Sequence, residues 1–218
     1  MNRSELKENA KKSLKGKYGD IILMFIVVAV ISAIVALIGT ALDNGLGLIK
    51  KSEVVIFGVT TTYSTTGLFT SIFSLLITCV LGFGIVEYFL NISRNKTVSW
   101  KDIFNKKELF LFYLGLSIVI GVFTFLWSLL FIIPGIIAAI SYSMVFYLKL
   151  DNPDLGIMDT IKKSKELMNG HKWEFFVLQL SFLGWALLVP FTLGILAFWL
   201  VPYVAVTESN FYNKLIEK

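Results

Sequence analysis

The sequence predicts an all-α protein, a polytopic transmembrane helical bundle whose six spans are arranged as three hairpins. Of its 218 residues, 56% are hydrophobic and 16% are charged, which lies outside the usual range of soluble domains. The apolar residues form long blocks instead of following a helical or strand period, which indicates a lipid-embedded chain. Eighteen of the 20 Lys and Arg residues fall on one side of the six-span arrangement.

The longest apolar block runs from Leu109 to Leu150 and is interrupted once, by Pro134 and Gly135. As one straight helix it would measure roughly 63 Å, about twice the ~30 Å hydrocarbon core of a bilayer. Proline lacks a backbone donor and disfavours helical geometry in the residue before it, so we expect the chain to turn back there. The block then supplies two spans, residues 109–133 and 134–150.

Four further spans come from the other apolar blocks. Residues 21–42 and 68–92 are each long enough for a full crossing. The last block divides at Pro190 into residues 173–189 and 190–206. Each of these two arms would measure about 25 Å as a helix, which is slightly short for a crossing.

Proline and glycine mark the other backbone features of the chain. The predicted structural turns are, in chain order, Pro134, Gly135, Pro153, Pro190 and Pro202. In the second span, Gly82 and Gly84 allow two backbones to approach closely.

Residues 43–67 join the first two spans and are polar and rich in small residues. Within them, Val54–Phe57 and Thr60–Tyr63 favour extended structure. We therefore expect an extracellular loop that forms either a small β-hairpin or a surface-lying loop.

The distribution of Lys and Arg predicts the orientation. The segment before the first span and those after spans two, four and six hold 6, 5, 5 and 2 of them when Lys149, at the end of span four, is included, whereas the opposite segments hold only Lys50 and Lys51. The positive-inside rule makes the basic side cytoplasmic and places both termini there. The same distribution would result if the hairpins at Pro134 and Pro190 entered and returned without reaching the far face. We favour full crossing and keep this alternative open.

Each hairpin follows a basic segment that we expect at the membrane interface. In residues 2–17, Leu6, Ala10 and Leu14 repeat at intervals of four beside several lysines, which predicts a short amphipathic helix on the membrane surface. A solvated basic leader that only orients insertion is the alternative.

Two more basic segments precede the second and third hairpins. In residues 94–107, Trp100, Ile103 and Phe104 are expected to rest on the interface. Residues 157–169 predict a second, cytoplasmic amphipathic helix.

The lysines of these segments are candidate contacts for anionic lipid headgroups, because each contributes on the order of 1 kcal/mol near an anionic surface. The candidates are Lys162, Lys163, Lys165, Lys172, Lys11, Lys12 and Lys15. The alternative is that they only determine topology. Nucleic acid is not an expected partner, because the basic residues lie beside apolar spans.

Ionisable groups within the spans are few, which argues against a proton or ion pathway. The candidate intramembrane polar contacts are Glu87, Tyr142, Gln179 and Ser181. Glu87 and Glu208 lie near the predicted cytoplasmic ends of their spans. We favour structural pairing of each with a connector lysine over a role in an ion or substrate site.

The residues that most often carry catalysis or bind metals are scarce. Cys79 is the only cysteine and lies in an apolar run, so we expect a buried inert thiol. His171 is the only histidine, which excludes a zinc site built from histidines. We expect no enzymatic activity and no cofactor.

Several motifs along the whole chain carry a resemblance to a known family. They are Arg3–Lys7, Ile133–Ile136, Asp151–Pro153, Ser164–Lys172 followed by Leu180–Trp185, and Pro202-Tyr203 with Phe211-Tyr212. With them the chain resembles the bacterial integral membrane proteins catalogued as domain of unknown function 975. The resemblance implies a six-span protein of the bacterial plasma membrane, and it implies no activity, cofactor or catalytic residue.

Three function classes remain. The first is a non-enzymatic membrane protein whose basic segments bind anionic lipid or a partner protein at the inner face, with a role in envelope or lipid homeostasis. The second is a transporter or transporter subunit for a hydrophobic or amphiphilic solute, with Glu87, Gln179 and Tyr142 as polar contacts. The third is a membrane-shaping protein whose short hairpins wedge into one leaflet. A homo-oligomer is compatible with all three.

Overall fold

The structure, a computed structural model, describes residues 2–49, 51–56, 59–64 and 67–217, and most of these are helical. The helices are α1 (Arg3–Leu14), α2 (Tyr18–Gly45), α3 (Leu68–Ser93), α4 (Phe110–Leu130), α5 (Ile132–Ser141), α6 (Val145–Asp151), α7 (Ile157–Leu167), α8 (Lys172–Leu188) and α9 (Ala197–Ile216). Strands β1 (Lys51–Ile56) and β2 (Val59–Ser64) form an antiparallel pair. Short 3₁₀ turns occupy Trp100–Phe104, Lys107–Leu109 and Pro190–Thr192.

The chain divides into two compact units. One, which we call the hairpin unit, comprises residues 24–79. The other, which we call the main unit, comprises residues 1–23 together with residues 80–218.

Within the described residues, five helical stretches are long and apolar enough to cross a membrane. They are Tyr18–Gly45, Leu68–Ser93, Trp100–Leu129, Ile132–Asp151 and Lys172–Thr192. Many of their large apolar side chains are exposed, for example Leu37 at 71% and Leu129 at 66%. Apolar faces of this extent are unfavourable in water and are typical of contact with lipid. The chain is therefore indicated to be a multi-pass membrane protein.

The predicted sixth span, residues 190–206, is not among these five stretches. Pro190–Thr192 form a 3₁₀ turn, Leu193 adopts a positive φ of 49°, and helix α9 begins only at Ala197. Helix α9 then continues to Ile216, well beyond the predicted end of the span. Its second half is polar, so its apolar part is too short for a crossing.

The turn of the central hairpin lies three residues before the predicted position. Phe131 leaves helical geometry with φ −162° and ψ 153°, and α5 starts at Ile132. Pro134 thus lies in the first turn of α5, where a missing backbone N–H costs nothing because that donor has no intrahelical partner. The predicted span 134–150 lies within the apolar stretch Ile132–Asp151, in which a short turn separates α5, ending at Ser141, from α6, beginning at Val145.

In the hairpin unit, one carboxylate joins the two helices. Asp43 is fully buried, and its oxygens accept hydrogen bonds from the backbone N–H groups of Phe69 and Thr70 at 2.9 Å each. It thereby satisfies free donors at the start of α3. Cys79 is buried, as predicted.

Strands β1 and β2 pair from Lys51↔Ser64 to Ile56↔Val59, so the β-hairpin predicted within residues 43–67 is present. Within this segment, Lys50, Phe57, Gly58, Thr65 and Thr66 lie outside the described residues.

The core of the main unit surrounds Phe83, which is fully buried. Its ring centroid lies 5.2 Å from that of Tyr113 and 5.7 Å from that of Phe146. The predicted close approach of two backbones is present at Gly84, where a Cβ atom would overlap the Ile103 carbonyl, whereas at Gly82 a Cβ atom would overlap the side-chain ring of Tyr113. Ile103 is fully buried against this backbone, so its side chain packs on protein and not on lipid.

The apolar stripe of α1 is covered by protein. Leu6, Ala10 and Leu14 are buried at 2%, 0% and 0% exposure, and α1 packs against α9. The prediction that this stripe lies on the membrane is therefore wrong. Partial burial, with Arg3 and Lys11 nearby, lowers the pKa of Lys7 on the same helix.

A polar network joins the ends of α3, α6 and α9. Arg94 donates two hydrogen bonds to the carboxylate of Asp151, at 2.9 and 2.6 Å, and a third to Asn213 at 3.0 Å. Tyr212 donates to the same carboxylate at 2.9 Å. Hydrogen bonding to Asp151 raises the pKa of Arg94, so this ion pair is retained over the whole physiological range.

The close approach at Gly84 generates a stability prediction. We expect Gly84→Ala to lower the free energy of unfolding by about 1–3 kcal/mol, because the new methyl group meets a backbone carbonyl that cannot move aside. Thermal unfolding in detergent, followed by tryptophan fluorescence, measures the effect.

Gly184→Ala is the matched control. A Cβ atom there meets nothing within 4 Å, and alanine is the better helix former. This variant should be as stable as the parent protein or slightly more stable. Equal unfolding temperatures for the two variants would contradict the close approach.

Candidate functional site

Helix α7 is attached to the rest of the main unit by the side that carries Ile161 and Ser164. Ile161 is 3% exposed and belongs to the core cluster around Phe83, and the hydroxyl of Ser164 donates a hydrogen bond of 2.8 Å to the carbonyl of Ser141. Helix α7 packs against α4 and α6 with the side that carries Ile161 and Ser164. Lys162, Lys163 and Lys165 lie on the exposed side.

The segment before α7 is held by a buried ammonium group. Lys149 is 5% exposed, and its Nζ donates hydrogen bonds to the carbonyls of Pro153 and Leu155 at 2.6 and 2.7 Å. The same Nζ lies 3.8 Å from the centroid of the Phe112 ring, a cation–π contact. Pro153 is thus in a turn, as predicted, and the entry into α7 is anchored.

Three adjoining grooves open between α4, α5, α7 and the start of α8, and we call them the lysine-rimmed grooves. The first, of about 290 Å³, is lined by Trp127, Pro134, Ile137, Ala138, Ser141, Tyr142, Lys165 and Lys172. The second, of about 400 Å³, is lined by Ile133, Ile136, Ile137, Ile140, Lys172, Trp173 and Phe176. The third, of about 320 Å³, is lined by Phe123, Tyr142, Met158, Ile161, Lys162, Lys165 and Glu166.

The grooves are contiguous because they share lining residues. Ile137 and Lys172 belong to both the first and the second groove, and Tyr142 and Lys165 belong to both the first and the third. Apolar side chains make up most of the lining, and lysines supply nearly all of its charge. Such a surface is complementary to a molecule with an apolar body and an anionic end.

Only some of the seven lysines predicted to contact headgroups line the grooves in the structure. Lys162, Lys165 and Lys172 line the grooves, whereas Lys163 donates a 3.3 Å hydrogen bond to Asn152. Lys11 lies 5.7 Å from the Tyr203 ring centroid.

Lys12 and Lys15, the other two predicted lysines, lie on α1 or directly after it. Lys12 pairs with Glu8 at 2.8 Å and lines a separate polar depression between α1 and α9. Lys15 is exposed at the C-cap of α1.

The predicted intramembrane polar residues do not form one site. Glu87 pairs with Lys106 of the connector at 3.5 Å, as expected. Glu208 instead accepts a hydrogen bond from Gln179 at 2.5 Å, so its predicted lysine partner is wrong. Ser181 donates to a carbonyl of its own helix, and Tyr142 alone lines the grooves.

Arg94, Lys149 and Asp151 were not predicted to have structural roles. The sequence did contain an indication of these structural roles, because each is a charged residue at the end of an apolar block. Such residues can bind across the ends of neighbouring helices, but the partners depend on the packing. Among the described residues, no three His, Cys, Asp or Glu side chains lie close enough to share a metal ion.

The buried Lys149 generates the second prediction. We expect Lys149→Met to lower the free energy of unfolding by about 1–3 kcal/mol, because the carbonyls of Pro153 and Leu155 lose a charged donor. Thermal unfolding measures this loss of stability, with Lys162→Met as the control, since Lys162 is an exposed lysine of α7. Equal stability of the two variants would show that the ammonium group does not hold this segment.

Comparison with protein families gives one match, to the family described as "Protein of unknown function (DUF975)", over residues 1–141 and 129–218. Comparison with curated proteins and with solved structures finds no match. Because the matched residues together cover the whole chain, the chain belongs to this family of unknown function.

Proposed function

We propose that this chain is a non-enzymatic protein of the bacterial cytoplasmic membrane that binds anionic lipid at the inner face. Its role would then lie in membrane, envelope or lipid homeostasis. The observation that carries the proposal is the set of lysine-rimmed grooves, in which an apolar lining is bordered by Lys162, Lys165 and Lys172.

The chemistry of the grooves supports an amphiphile over a soluble anion. In the second groove the lining is apolar except for Lys172. Its ~400 Å³ corresponds to roughly a dozen methylene groups if each takes about the 30 Å³ share of a water molecule. A lipid chain fills this space and a phosphate headgroup reaches the ammonium groups, whereas inorganic phosphate would leave the apolar surface in water.

The charge distribution supports the inner face. Lys162, Lys165 and Lys172 belong to a segment that the positive-inside rule assigns to the cytoplasm. The inner leaflet carries anionic lipid, which attracts basic segments close to the membrane.

Transport of an amphiphilic solute is the second candidate function, since the grooves between the helices have a largely apolar lining with a lysine border. Of its three proposed polar contacts, Tyr142 lines two grooves. Glu87 and Gln179 are instead engaged with Lys106 and Glu208. These pairings favour lipid binding over transport.

The third prediction tests lipid binding with a double variant that removes two positive charges from the grooves. We expect Lys165→Gln with Lys172→Gln to weaken binding of phosphatidylglycerol roughly thirtyfold, because two lysines each contribute about 1 kcal/mol. Native mass spectrometry of the detergent-solubilised protein, titrated with phosphatidylglycerol or phosphatidylcholine, counts the bound lipids. Binding of phosphatidylcholine should not change.

Lys96→Gln with Lys107→Gln is the matched control, because it removes the same charge from exposed positions outside the grooves. It should leave phosphatidylglycerol binding within about twofold of the parent protein. Equal losses in both double variants would mean that only the overall charge matters, and the proposed site would be rejected.

A further inference from the structure

We propose that the α8–α9 hairpin does not cross the bilayer but is a re-entrant wedge, inserted into a single leaflet from the face on which α1 lies. The partner of its tip is the acyl-chain region of that leaflet. This inference concerns topology and does not depend on lipid binding in the grooves.

The tip of the hairpin is apolar and open to its surroundings. Residues 186–198 contain no charged side chain. Phe191, Leu193 and Ile195 are 85%, 94% and 71% exposed, so no other part of the main unit covers them. A turn that met water would not present three large apolar side chains side by side.

Several backbone N–H groups of the tip donate hydrogen bonds to carbonyls within the tip itself. The N–H groups of Thr192 and Leu193 donate to the carbonyls of Val189 and Pro190 at 3.2 and 3.1 Å, and that of Gly194 donates to Val189 at 3.1 Å. The Thr192 side chain donates to the Val189 carbonyl at 2.9 Å. Backbone groups in hydrocarbon must be satisfied in this internal way.

The charged helix α1 lies beside the middle of the hairpin. Lys7 Nζ is 3.3 Å from the carbonyl of Ser181 and 4.1 Å from the centroid of the Phe182 ring. Lys11 Nζ is 5.7 Å from the centroid of the Tyr203 ring. Since α1 also exposes several charged side chains to its surroundings, it cannot lie in hydrocarbon. The polar boundary therefore crosses α8 near Ser181 and α9 near Tyr203.

An aromatic cluster lies just beyond this boundary. The ring centroids of Trp185 and Trp199 are 5.6 Å apart, and those of Trp199 and Tyr203 are 5.0 Å apart. Trp and Tyr prefer the level of the lipid headgroups. The position of the cluster agrees with the boundary drawn from the charges of α1.

The length of chain beyond the boundary is too short for a crossing. Phe182 to Val189 covers about 12 Å of helix, and Ala197 to Tyr203 covers about 10 Å. The hydrocarbon core is ~30 Å thick. The tip therefore ends near the middle of the bilayer, and the hairpin adds volume to one leaflet only.

A depth profile along the hairpin tests this topology. Single cysteines replace exposed, lipid-facing residues in a Cys79→Ala background: Leu180→Cys, Leu183→Cys, Leu187→Cys and Leu193→Cys. Each carries a nitroxide in liposomes, and its depth is read from the ratio of collisions with oxygen to collisions with a water-soluble nickel chelate. We expect the depth to increase steadily from position 180 to position 193.

A full crossing gives the opposite profile. The depth would then be greatest near position 183 and would decrease again at position 193, which would overturn the proposal. Because all four side chains are exposed, the substitutions remove no buried contact.

Labelling with a membrane-impermeant maleimide provides the second measurement. Leu193→Cys should remain unlabelled in intact cells and in inverted membrane vesicles, and should react after denaturation. Leu46→Cys and Asn105→Cys, both exposed, report the accessibility of their own faces. Labelling of position 193 from either side in the native membrane would overturn the wedge.

Discussion

The constraint that most of this structure depends on is the high free energy of a charged side chain in hydrocarbon. The basic segments lie within a few residues of long apolar blocks. The chain must therefore separate charged side chains from apolar ones over short distances. Helices α1 and α7 do so by turning their apolar residues onto the protein and their lysines outward. The lysines then border the apolar surfaces of α5, α8 and α9. Both the grooves and the inferred wedge follow from this arrangement.

The polar contacts at the helix ends keep the apolar hairpins in place. Arg94 and Asp151 join the ends of α3 and α6, and Tyr212 and Asn213 attach α9 to the same pair. Lys149 anchors the segment that leads into α7. Charge-assisted hydrogen bonds of this kind are directional as well as strong. The bonds from Lys149 to the carbonyls of Pro153 and Leu155 hold the segment directly before α7, the helix that carries Lys165.

The sequence interpretation was most reliable for local features and least reliable for packing. The close backbone approach at Gly84 and the pairing of Glu87 with a connector lysine were correctly expected, and the β-hairpin was one of the two forms expected for residues 43–67. The turn of the central hairpin lies at Phe131, three residues before Pro134, and residues 190–206 are not among the helical stretches long and apolar enough to cross. A proline signal is ambiguous, because the residue is tolerated in the first turn of a helix as well as in the turn before it.

The sequence by itself determined that the chain is a helical membrane protein with its basic residues grouped between apolar blocks. These properties depend on composition and on the order of residues, which no packing can alter. The tertiary structure alone decided what the apolar stripe of α1 covers and which lysines border the grooves. It also decided how far the α8–α9 hairpin extends beyond the charged side chains of α1. The physical reason is that an apolar stripe can be buried equally well against lipid or against another helix, and only the available partner surfaces distinguish the two.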